Sequence, residues 1–190
     1  MNKQTKSQRE PAPFGDQDRL CRPRDTFVDA SCDVFRWREA NSPRFQALQA
    51  RREALAGAGF PGPAAELFPA YEEALYVWEG AYARAAWAQG VAAAGAAYLG
   101  GGAKPAPGPR AVRCPAEEEE LKDFYTCVRL ALPQDRRKAL TEYHAVARQE
   151  VRQVFWYAFV GGYEWMLELL RESGLSAEER APECYYRKLD

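Results

Sequence analysis

The sequence predicts an all-α protein, an irregular helical bundle with extended N- and C-terminal arms and a Gly/Pro-rich internal linker. Three observations carry this expectation. Apolar residues recur at helical spacing over long proline-free stretches, most regularly as Tyr71, Leu75, Trp78 and Tyr82. Prolines and polar caps open these stretches, and glycines close them. No run alternates polar and apolar residues over the length of a useful strand.

Residues 1–24 read as an extended arm. MNKQTKSQREPAPFGDQDRL has no apolar run of the secretory type, and Glu10, Asp16 and the prolines at 11 and 13 are unlike an amphipathic transit peptide. The first helical half covers residues 25–99. Pro23, Asp25 and Thr26 open a helix over FVDASCDVFRWREA that stops at Asn41. Ser42 and Pro43 cap a second helix running to about Ala56, with Phe45, Leu48 and Leu55 roughly on one side and Gly57 and Gly59 ending it. Phe60 to Pro69 is expected to be a turn with one short helical piece. From Ala70 to Leu99 the spacing predicts one long helix.

Beyond Arg84 that helix changes character, because AAWAQGVAAAGAAYLGGGA carries no charge over residues 85–103. The length suits a bilayer, but Leu and Val occur once each, which drives insertion poorly. Close packing through small residues is the favoured expectation, with lipid contact at 85–103 as the alternative. Residues 100–113, beginning GGGAKPAPGP, form the linker.

The second helical half covers residues 114–174. One helix is expected from Pro115 to Leu132, closed by Pro133, and a long one opens near Pro133 to Asp135. Its first half is amphipathic. From Val154 to Tyr163 it is apolar nearly all round and needs cover on every side. In a chain of 190 residues the expected cover is another protein, or lipid at 154–170. Phe155, Trp156, Tyr157, Phe159, Tyr163 and Trp165 are therefore the candidate partner interface. The tail, residues 175–190, adds Tyr185 and Tyr186 to it.

The charge balance narrows the partners. With 26 basic and 27 acidic residues, net −1, the chain has no global field to attract nucleic acid. The expected partners are other protein subunits. Glu117 to Glu120 follow a helix-starting proline, where negative charge suits the helix dipole. The single histidine, His144, reads as a half-exposed helix residue; no metal, phosphate or cofactor motif accompanies it.

None of the five cysteines has CxxC spacing, which argues against thioredoxin-like chemistry and zinc ribbons. Cys21 and Cys114 each precede a helix-starting proline, and Cys32 and Cys127 follow about one helix length later. This twin-cysteine pattern resembles the coiled-coil-helix-coiled-coil-helix proteins of the mitochondrial intermembrane space, over about 26 residues and with gaps longer than that family's. The resemblance implies an oxidising compartment and a structural clasp of two antiparallel helices, Cys21 to Cys127 and Cys32 to Cys114. From the residues themselves three readings stay open: that clasp, reduced core thiols, or a reactive or metal-bound thiol.

The expected function is a non-catalytic accessory subunit of a multiprotein complex, acting in assembly and stability. The twin-cysteine resemblance, the missing conventional presequence and the uncharged small-residue helix together make a mitochondrial inner-membrane complex of the respiratory-chain or ATP-synthase type the expected setting. The alternatives are a small thiol-dependent enzyme of the cytoplasm using Cys32 or Cys127, and a free-standing helical adaptor.

Overall fold

The computed structural model describes residues 42–100, 109–175 and 181–186. The arm at 1–24, the helix expected over 25–40, most of the linker and the last four residues lie outside this set. All regular structure among the described residues is helical: α1 Pro43–Gly57, α2 Pro63–Leu99, α3 Pro115–Ala131, α4 Arg137–Glu172 and the one-turn α5 Glu183–Tyr186.

α1 begins where its cap demands. The Ser42 hydroxyl accepts from the Phe45 amide at 3.3 Å, and Pro43 occupies a position that has no use for an N–H. Replacing Ser42 with Ala is expected to lower stability by about 1 kcal/mol in urea unfolding, with an unchanged denaturant slope. The helix ends at Gly57, and Gly59 then adopts φ +74°, a backbone conformation open to glycine at little cost.

α2 departs from expectation. It starts at Pro63, not Ala70, and runs straight through Pro69. An interior proline forfeits one helical hydrogen bond and costs about 3 kcal/mol. Pro69 and Ala65, whose carbonyl loses its partner, are both exposed, so water can serve that oxygen. The helix is held regardless because Ala64, Phe68 and Tyr71 are buried, with the Phe68 ring tilted 4.4 Å from Phe60 and edge-on to Tyr143 at 5.2 Å. Tertiary burial outweighs the local break. At 37 residues the helix is about 55 Å long.

α3 and α4 join through a tight turn in which the Arg136 amide donates to the Pro133 carbonyl at 3.0 Å. α4 closes with Gly174 at φ +75° and the Leu175 amide returning to the Leu170 carbonyl at 3.0 Å, a Schellman cap.

The pairings between residues define the packing. α2 and α4 run parallel: Tyr71 meets His144, Trp87 meets Gly162 and Gly95 faces Met166. α3 runs antiparallel to α2, with Tyr82 on Glu118 and Tyr71 near Tyr125. α1 runs antiparallel to α4, with Phe45 on Tyr157 and Arg52 on Glu150. One core cluster, around Tyr71, Trp78, Leu140 and Tyr143, lies where α3 docks; the other, around Trp87, Phe159, Val160 and Tyr163, lies in the distal half of the α2–α4 pair.

The distal contact explains the uncharged stretch. A Cβ on Gly90 would enter the Phe159 carbonyl and stand 2.8 Å from the Tyr163 amide, and one on Gly162 would enter the Trp87 carbonyl and stand 3.1 Å from its Cα. The two backbones touch, as a face of small residues permits. Among the described residues no helix is long and apolar enough to cross a membrane.

The expectation that residues 154–163 need foreign cover on every side is corrected here. Tyr157, Phe159 and Tyr163 are 2%, 1% and 2% exposed within this chain alone. α2 lies closer than ordinary side chains would permit, Phe45 of α1 covers Tyr157, and Tyr185 covers Phe159 and Tyr163 edge-on at 5.2 and 5.6 Å.

Candidate functional site

Only part of the expected aromatic interface faces outward. Tyr157, Phe159, Tyr163 and Tyr185 belong to the core, and the Tyr186 side chain lies outside the described set. Phe155, Trp156 and Trp165 remain half-buried. Phe155 leans on Tyr82 at 5.9 Å, Trp156 stands edge-on to Phe159 at 6.1 Å and Trp165 lies 6.2 Å from Trp87. Each has one side against the core and the other toward solvent.

Cys114, Cys127 and Cys184 are free thiols in this structure, so neither implied bridge is formed here; Cys21 and Cys32 lie outside the described residues. Cys114 is buried as the N-cap of α3, and burial, with Glu117 and Glu118 close by, pushes its thiol above the usual value. That shift suppresses the thiolate a nucleophile or metal ligand requires. Cys127 is exposed, two residues beyond the Tyr125 that turns toward His144, and so on another side of α3. No group of three or more His, Cys, Asp or Glu among the described residues is placed to hold a metal.

Glu150 is the buried charge the sequence did not advertise. It is 2% exposed on α4, and one carboxylate oxygen lies 2.7 Å from the Arg52 guanidinium while the other has no partner. Burial raises its pKa from 4.5 to about 7, Glu79 and Glu53 add to the rise, and Arg52 opposes it.

A groove of about 440 Å³ opens between α3 and α4 over Trp78 of α2. Leu121 and Tyr125 line one wall, His144 and Arg148 the other, with Glu118, Glu119 and Lys122 along the α3 rim. Three ring side chains meet beside the groove. Tyr71 bonds its hydroxyl to His144 Nδ1 at 2.8 Å, and the Tyr125 ring lies 4.7 Å from the imidazole. Burial, then the positive charge of Arg148, pulls the His144 pKa below its ordinary value, so the ring is neutral at physiological pH. The Arg148 guanidinium stands 5.8 Å over the Trp78 ring. Glu118 already accepts the Tyr82 hydroxyl at 2.8 Å, and burial together with this bond pushes that phenol up to about 12.

His144 was legible as a half-exposed helix residue, but its groove was not. Arg148 stands one turn beyond it at i+4, the only local sign of a shared face. Trp78 read only as one of the periodic apolar positions of its helix and Lys122 carried no signal, because their meeting depends on how α3 lies across α2. No family model, curated protein or solved structure matches this chain.

Proposed function

We propose that this chain is a non-catalytic helical subunit that acts in assembly and stability, held in a larger complex by aromatic contacts around the distal half of α4. The observation that carries the reading is that Phe155, Trp156 and Trp165 stay half in solvent beside a core that has closed over their neighbours. Aromatic rings of this kind, anchored on one side and open on the other, supply much of the affinity at protein interfaces. The cysteine pattern supports a seat in a mitochondrial inner-membrane complex of the respiratory-chain or ATP-synthase type.

The test is to tag the chain in its native cell, extract with mild detergent and measure the mass and composition of the particle that carries it. A large particle with stoichiometric partners is expected, and the Trp156→Ser, Trp165→Ser double variant should release them while keeping its helical circular dichroism. A wild-type chain recovered alone near 21 kDa would overturn the reading.

A further inference from the structure

The groove over Trp78 is built as a binding site, independently of the proposed docking surface. Two cationic side chains flank it, and Trp78, which also lines it, carries a buried unpaired donor. The Trp78 indole N–H is buried without a hydrogen-bond partner, although the residue is only 4% exposed. A buried unpaired N–H costs about 1–3 kcal/mol, and native structures keep few of them. Arg148 and Lys122 stand on opposite sides of the groove, and among the described residues neither has a carboxylate within ion-pair distance. The Arg148 guanidinium lies over the Trp78 ring face.

The remaining walls limit what can enter. Leu121, Tyr125 and Trp78 offer apolar and aromatic surface, suited to a flat body. Glu118 and Glu119 at the rim offset the two cations, so a multiply charged anion such as a phosphate monoester would meet more repulsion than a single carboxylate. A cavity near 440 Å³ is in the range that holds small organic ligands. We infer that this groove binds a small aromatic monocarboxylate, its carboxylate between Arg148 and Lys122 and its ring against Trp78 and Tyr125. Guanidinium and carboxylate match in planar geometry, which makes Arg148 the principal anchor and Lys122 the second.

The full chain labelled with ¹⁵N, titrated with indole-3-acetate and followed through its tryptophan indole N–H signals, tests this directly. The expected result is a saturable shift of one indole signal, identified as Trp78 by its loss in Trp78→Phe. Indole-3-acetamide, the same shape without the charge, should bind at least tenfold more weakly. Arg148→Gln should weaken indole-3-acetate by about tenfold, equivalent to about 1.4 kcal/mol. That residue is exposed, so the variant is expected to fold, and an unchanged unfolding curve checks it. No saturable shift at millimolar ligand, or a shift that the amide or Arg148→Gln reproduces unchanged, would overturn the inference. Neither outcome bears on the subunit reading, which rests on other residues.

Discussion

Replacing Gly162 with Ala is expected to destabilise the protein by about 3 kcal/mol or more, and Gly90→Ala by a similar amount, because each added methyl meets backbone rather than a side chain that could rotate away. Alanine favours an isolated helix by about 1 kcal/mol over glycine, so local propensity predicts the opposite sign. Gly80 supplies the internal control. It lies in the same helix as Gly90, and a Cβ there would meet nothing within 4 Å. Gly80→Ala should therefore raise stability by up to about 1 kcal/mol. Urea unfolding of the three variants decides the matter. If all three raise the midpoint, helix propensity governs and the backbone contact between α2 and α4 is refuted. The loss matters because a domain of this kind has only about 5–15 kcal/mol in total.

Glu150 should make the fold weaken as pH rises from about 4.5 to about 7. Its folded pKa of about 7 lies above the unfolded 4.5, so the folded state holds a proton that the unfolded chain releases. The contribution is then fully present below the unfolded value and is lost as pH rises through about 7. A rise of this size weighs about 3 kcal/mol against the ionised fold. Glu150→Gln cannot ionise, yet keeps an acceptor for Arg52 and nearly the same volume. Relative to wild type it is expected to be nearly neutral at pH 5 and more stable by about 2–3 kcal/mol at pH 8.5. Thermal unfolding of both proteins across that range measures the difference directly, and parallel pH profiles would show that Arg52 holds the carboxylate charged at no cost. Arg52 of α1, Glu53 beside it and Glu79 of α2 are the charges acting on Glu150, so the effect reports on the seam where α1 docks.

These two residues mark where sequence reasoning stops. The Gly90 methylene was visible as part of a small-residue stretch that permits close approach, but nothing in the sequence singled out Gly162. Their contact depends on the parallel register of α2 and α4, fixed by pairs as far apart as Tyr71 with His144 and Gly95 with Met166. Glu150 looked like one more charge on the amphipathic half of α4. Only the antiparallel approach of α1 puts Arg52 against it and removes its water.

What the sequence determined by itself is local. Period, caps and prolines set the all-α class, the N-terminus of α1 at Ser42, the break between α3 and α4 and the glycine-ended stops, because each depends on residues within one or two turns. The continuation of α2 through Pro69 was hidden, since Phe68 and Tyr71 gain more from Phe60 and Tyr143 than the proline loses. The fate of the apolar run at 154–163 was hidden as well. Whether such a segment needs a partner depends on how closely its neighbours can approach, and that distance was decided by two glycines 72 residues apart meeting across a helix crossing. The groove over Trp78 has the same origin: its lining comes from three helices, and a distance between helices is a property of packing that no single stretch of sequence contains.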